Sequence, residues 1–246
     1  MNILISNDDG IDALGIIFLA ERVGRDNRVF VVAPDRERSA ASHSLTLKHP
    51  LKVNNLGDDR YSVDGTPADC VNLAINTILP VRPDLVLSGI NHGANMGDDI
   101  SYSGTVSAAK EGMLLGIPSL AFSLEMKHGQ DFAPAAEFAA RLVRYISNNP
   151  VHPETLLNIN VPDRIVDDEV PYRITRQGKR IYDDTMIERT TDRGGDYYTI
   201  GAHEIRTSGD VESDFFAVTS GYISITPLHL DLTNYGSIAE LSRWHL

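Results

Sequence analysis

Cysteine occurs once, at Cys70, so no intrachain disulfide can form, which fits a reducing compartment. Basic residues are in short supply. There are 22 Lys and Arg against 34 Asp and Glu, a formal net charge of -12 over 246 residues. A general nucleic-acid surface needs a basic stripe, and this balance argues against one. A small anion held at one local site is not excluded, especially where a metal ion offsets the charge. No apolar run approaches the roughly 20 residues of a membrane span. The first nine residues carry no basic cluster and reach two acids, unlike a secretory signal. The expectation is a cytoplasmic protein. Several motifs are also missing. No GxGxxG follows the first strand, and neither a GxxxxGK[ST] phosphate loop nor a G-x-S-x-G elbow occurs. The eight histidines include no HExxH.

What remains is ordinary globular material, 42 % apolar and 23 % charged, which excludes disorder, collagen and coiled coil. The length gives one to two domains and a core burying roughly 70–75 % of the unfolded surface. Ile3–Ile5, Arg28–Ala33, Asp84–Ser88 and Pro118–Ser123 are short apolar runs that read as buried strands. Leu14–Val23 carries Ile16, Leu19, Ala20 and Val23 at helical spacing. Continuous apolar strands joined by helices are the βαβ signature of a parallel sheet. Thr66 and Pro67 open a helix that runs to about Leu79, with Asp69 at its positive end. Short alternating strands lie around 45–64, and helices over 105–115 and 132–148. Beyond 150 the texture changes. A strand covers Leu156–Val161, a long polar hairpin about 171–200 breaks at Gly194-Gly195, Tyr222–Thr226 alternates as a late strand, and 236–244 is a short terminal helix.

Ligands of open parallel sheets bind outside the carboxyl ends of the strands. Three loops leave such ends here: 7–10, 35–44 and the glycine-rich 89–104. Asp8 and Asp9 are adjacent like charges at a strand end. A divalent cation explains the pair, and a local Asp-Asp-Gly turn is the plainer alternative. Ser39 stands among Arg36, Arg38 and His43. Asn91 and Asn95 offer amide oxygens between glycines that permit close backbone approach. Ser103, Gly104 and Thr105 stand where a helix begins, a ready anion site that simple N-capping by Ser103 or Thr105 does not contradict. An Asp8, Asp9, Ser39 and Asn91 shell is all oxygen. That suits magnesium, manganese or calcium and disfavours zinc. Cys70 reads as a small core residue, and His43 and His92 as solvated loop histidines.

Ser6-Asn7-Asp8-Asp9-Gly10, Ala33-Pro34-Asp35-Arg36-Glu37-Arg38-Ser39, Gly65-Thr66-Pro67-Ala68-Asp69-Cys70-Val71, Ser88-Gly89-Ile90-Asn91-His92-Gly93 and Tyr102-Ser103-Gly104-Thr105-Val106 occur in that order. Together they resemble the SurE family of stationary-phase survival proteins, metal-dependent nucleoside monophosphate phosphatases. Gly221–Leu228 extends the likeness, which covers essentially the whole chain. The resemblance implies an α/β fold, a Rossmann-like three-layer α/β/α core with a mostly parallel sheet. It would form a single domain over 1–246, with the core in 1–150 and a C-terminal extension in 151–246. It implies metal ligands at Asp8, Asp9, Ser39 and Asn91, one divalent ion per subunit, and phosphate contacts at Asn95, Ser103, Gly104 and Thr105. It further implies hydrolysis of 5′- and 3′-nucleotides, with short polyphosphate cleaved by some members. Asp8 and Asp9 are then the catalytic acids. Homodimers or homotetramers that exchange C-terminal segments are implied too, the 171–200 hairpin fitting such an arm, with no nucleic-acid polymer or membrane as partner. Leu14 stands where many members have proline, and Asp12 and His92 at positions the family pattern leaves open. None of these is an expected ligand. Two other readings compete: a covalent aspartyl-phosphate enzyme using Asp8, and a metal-dependent nucleotide-binding sensor without turnover.

Overall fold

The computed structural model describes residues 1–126, 131–152, 154–163, 171–181, 187–192, 195–200, 206–207 and 210–244. The first half alternates strand and helix: β1 (Asn2–Ser6), α1 (Leu14–Gly24), β2 (Arg28–Pro34), β3 (Val53–Gly57), β4 (Arg60–Val63), α2 (Pro67–Leu73), β5 (Leu85–His92), α3 (Gly104–Leu114), β6 (Ser119–Leu124), α4 (Ala133–Asn148) and β7 (Leu156–Val161). Later come β8 (Tyr172–Ile174), β9 (Arg180–Ile181), β10 (Ile187–Asp192), β11 (Gly195–Ile200), β12 (Arg206–Thr207), α5 (Asp214–Thr219), β13 (Ile223–Leu228) and α6 (Tyr235–Leu241).

One nine-stranded sheet runs in the order β3-β4-β2-β1-β5-β6-β7-β13-β8. The strands from β4 through β7 are parallel, whereas β3 and β13 run antiparallel to their neighbours β4 and β7. Burial on both faces explains the unbroken apolar runs of the central strands. Along β1, Ile3 and Ile5 join the cluster containing Ile16 and Leu19 of α1 and Phe138 and Val143 of α4. Leu4 points the other way, to Cys70 and Val71 of α2 and Ala108 of α3. The result is a mostly parallel sheet between two helical layers, the α/β class expected.

Three expectations need correction. The segment 171–200 is not one hairpin. Tyr172–Ile174 adds to the central sheet parallel to β13, and among the described residues of this segment only β10 and β11 pair with each other. The break at Gly194 lies outside the described residues. The third loop starts later than Ser88. Gly89, at φ 131°, interrupts the pairing, but β5 rejoins β6 at Asn91 and His92. The helix from Thr66 changes character too, its last turn over Ala74–Ile78 being a π-turn.

Candidate active site

The strand order reverses at β1. The chain leaves β1 through α1 to β2 on one side, and returns from β4 through α2 to β5 on the other. This reversal opens a crevice at the carboxyl ends of β1 and β5. A cleft of about 410 Å³ occupies it, lined by Asp8, Asp9, Glu37, Ser39, Asn91 and Asn95 among others. All three expected loops therefore converge on one rim.

Asp8 is buried, its side chain lying against the first turn of α3. Thr105 donates its hydroxyl to Asp8 Oδ1. Burial outweighs that bond, and with a smaller push from Asp9 it raises the Asp8 carboxyl to about 6. Asp9 is half-buried, and burial raises its carboxyl as well. The His92 backbone N–H donates to Asp9 Oδ2 at 3.3 Å. The turn beneath is closed by Asn7, whose Nδ2 donates to Gly10 O at 2.8 Å. Gly10 sits at φ 102°, and a Cβ there would stand 3.1 Å from the Arg36 backbone, so the first and second loops approach closely at this point.

Ser39 is exposed and donates to Glu37 Oε1 at 2.5 Å. Asn91 commits its Nδ2 to Gly93 O at 2.8 Å, which leaves the amide oxygen as its ligating atom. Asp8, Asp9, Ser39 and Asn91 thus line one cleft and offer only oxygens. No group of three His, Cys, Asp or Glu that could hold a metal occurs among the described residues. Asp99 and Glu37 also line the cleft, and among the described residues neither Lys nor Arg does. A surface with four carboxylates repels an anion unless a cation is added, and hard oxygen donors suit magnesium, manganese or calcium. The residues fit such an ion.

The phosphate set divides. Asn95 and Ser103 line the cleft. Ser103 caps α3, accepting the Val106 N–H at 3.1 Å. Gly104 and Thr105 lie behind Asp8 and not on the cleft wall. A Cβ at Gly104 would stand 2.7 Å from Asp8 Cβ and 2.8 Å from Oδ2. Their work in this structure is to seat the acid. The basic residues of the second loop turn away. Arg38 Nη2 bonds Asp35 Oδ1 and Asp64 O at 3.3 and 2.8 Å, and His43 Nε2 lies 2.8 Å from Glu111 Oε2. His92 stacks on Phe132, their ring centroids 5.2 Å apart.

Sequence reasoning missed the supports. Tyr102, Glu37 and Asp99 reach the cleft, and their signal was only proximity to expected residues. Asp214 accepts backbone N–H groups from Gly97, Gly178 and Phe215 at 2.8–2.9 Å, fixing the loop after Asn95. Asn158 and Asn160 are fully buried under the same loop. Two asparagines at alternate positions of an apolar strand were the available sign.

The model of the family described as Survival protein SurE matches residues 3–184. A Geotalea daltonii protein named 5′-nucleotidase SurE is 49 % identical over 100 % of both chains. One of the same name from Geobacter metallireducens is 52 % identical over 99 % of this chain and 97 % of its own. The crystal structure of the SurE protein from Aquifex aeolicus superposes with a TM-score of 0.87 at 42 % identity, covering 98 % of each chain. Family model, full-length relatives and crystal structure agree, and the chain belongs to the SurE family.

Proposed function

We propose that this protein is a 5′-nucleotidase. It hydrolyses the phosphate monoester of nucleoside 5′-monophosphates to nucleoside and phosphate, with one divalent ion held by Asp8, Asp9, Ser39 and Asn91. The observation that carries the reading is the cleft itself, where four carboxylates meet a helix N-terminus with no Lys or Arg on its wall among the described residues. The names of the full-length relatives support the activity. When bound, a divalent ion supplies Lewis-acid stabilisation of phosphoryl charge and acidifies water. The chain's own residues do the rest. Asp8 and Asp9 orient the attacking water and take its proton. Ser103 at the start of α3, together with Asn95, steadies the equatorial oxygens as their charge develops.

Every polar group in this assignment grips the phosphoryl centre and none reads a base. That supports acceptance of 3′-nucleotides and short polyphosphate by the same site. The protein acts as a homodimer or larger homo-oligomer through its C-terminal segment. Support comes from α6, which has no buried residue. Among the described residues no helix is long and apolar enough to cross a membrane. The lone cysteine, buried at Cys70, accords with a reducing, cytoplasmic setting.

The test is phosphate release from 5′- and 3′-nucleoside monophosphates after EDTA treatment, with magnesium, manganese, calcium or no ion restored. Release that returns only with an ion, and differs among nucleotides, is the expected result. Folded protein that binds nucleotide but releases no phosphate with any ion overturns it in favour of a sensor module.

A further inference from the structure

Asn95 stands on the cleft wall, yet its backbone has no strand or helix to hold it. Side chains from β7 do that work. Asn160 Oδ1 accepts the Asn95 N–H at 2.7 Å, and Asn160 Nδ2 donates to the Asn95 carbonyl at 3.1 Å. One side-chain amide therefore satisfies both backbone groups of one residue, as a neighbouring strand would. Asn158, two residues earlier and on the same face of β7, donates to the same carbonyl at 2.8 Å. Ser123, the register partner of Asn160 on β6, accepts from Asn95 Nδ2 at 2.9 Å. An amide nitrogen carries two protons, so one remains for an anion in the cleft.

The alternative is that these asparagines merely fill a polar layer of the core. Asn158 argues against it. Its Oδ1 is buried with no hydrogen-bond partner among the described residues, a cost a purely structural site has no reason to keep. Turning the amide over to satisfy that oxygen would set it against the Asn95 carbonyl.

We infer that Asn160, seconded by Asn158, is a positioning residue for Asn95, holding its side-chain amide at the phosphoryl group from a strand beyond the N-terminal core. The inference rests on the reading of Asn95 as a phosphate contact. Asn160→Asp keeps size and the acceptor but faces the Asn95 carbonyl with an oxygen in place of the donor.

The experiment measures kcat, KM and inhibition by inorganic phosphate for the metal-loaded wild type, Asn160→Asp, Asn95→Ala and the double variant. Asn160→Asp is expected to raise KM and the phosphate inhibition constant together by about tenfold, the size of one hydrogen bond to a charged group. In the Asn95→Ala background the same change is expected to shift neither. Values within about twofold of wild type in Asn160→Asp overturn the inference. An undiminished effect in the Asn95→Ala background also overturns it, since Asn160 then acts on the fold at large. If Asn95→Ala itself leaves phosphate inhibition unchanged, the phosphate reading of Asn95 fails and the inference falls with it, whatever Asn160→Asp does. Should Asn160→Asp not fold, Asn158→Leu removes one of the three backbone bonds and is read by the same constants and outcomes.

Discussion

Thr105 donates its hydroxyl proton to Asp8, tying the first turn of α3 to the carboxyl end of β1 across 97 positions of sequence. The bond joins the start of α3 to the buried acid, so neither can drift alone. Thr105→Val keeps the shape and removes the donor. A hydrogen bond to a charged group contributes about 1.5–3 kcal/mol. The variant should therefore lose roughly ten- to a hundredfold in kcat/KM if Asp8 must be held for turnover. Steady-state kinetics with saturating ion decide it, and unchanged kcat/KM removes Thr105 from the site.

Gly104 makes the same contact from the other side. Alanine is the better helix former by about 1 kcal/mol, so on propensity alone Gly104→Ala would stabilise α3. Space decides otherwise, because the added methyl would lie 2.7 Å from Asp8 Cβ, with no flexible end to give way. Asp8 must move, and the expected outcome is activity down by about a hundredfold or more. A melting temperature lower by several degrees is expected with it, at about 2–4 °C per kcal/mol for a chain this long. A variant that melts higher and turns over normally shows that β1 and α3 separate more easily than this packing implies.

These contacts mark what the sequence could and could not disclose. Ile3–Ile5 and Val29–Ala33 were readable because strands buried on both faces need unbroken apolar runs, and Asp8 and Asp9 because adjacent acids at a strand end demand a reason. Thr66 and Pro67 announced a helix start by local chemistry, and the capping box with Asp69 formed. The three-residue strand Tyr172–Ile174 has no period long enough to detect, and its partner in β13 lies about fifty residues on. Asp214 looked like one more acid in a polar stretch. Its burial against three backbone N–H groups exists only once α5 meets the loop at Gly97. Thr105 was legible as a helix-start hydroxyl but not as the partner of Asp8, because nothing local says which strand end faces it.

Glu111 provides a pH test away from the proposed metal ligands. Its carboxyl is held below the usual range, first by the hydrogen bond with His43, while burial opposes and Asn72 Nδ2 assists at 2.7 Å. An ionised carboxylate can only accept, so His43 Nε2 carries the proton between them. The folded state favours the ionised form. The stabilisation is therefore complete above the ordinary glutamate range and is lost as pH falls through the lowered folded value. Glu111→Gln should melt about 5 °C below wild type at neutral pH, from about 1.5–3 kcal/mol of charge-assisted bonding. The gap should close as the solution is acidified below about pH 4. A gap constant from neutral to acid pH shows that the charge on Glu111 contributes nothing.

The C-terminal helix carries the last prediction. α6 has seven residues and none of them is buried. An isolated helix shorter than roughly 12–15 residues is marginal in water, so this one needs a surface to lie against. Among the described residues its apolar side chains and those flanking it are poorly covered: Tyr235 is 67 % exposed, Ile238 and Leu241 47 % each, Leu232 just before the helix 94 % and Trp244 just after it 61 %. A stable interface removes about 1,200–2,000 Å² from water, and exposed side chains of this kind, doubled by symmetry, are the natural material for one. Light scattering at micromolar concentration should give at least twice the 27.0 kDa of one chain. The double variant Ile238→Asp, Leu241→Asp should shift the mass towards one chain and lower the melting temperature, because the helix loses its cover. It should leave the Asp8 cleft able to turn over nucleotide, since no residue of α6 lines it. A wild type that scatters as a single chain removes the oligomer and leaves α6 without a surface to fold on.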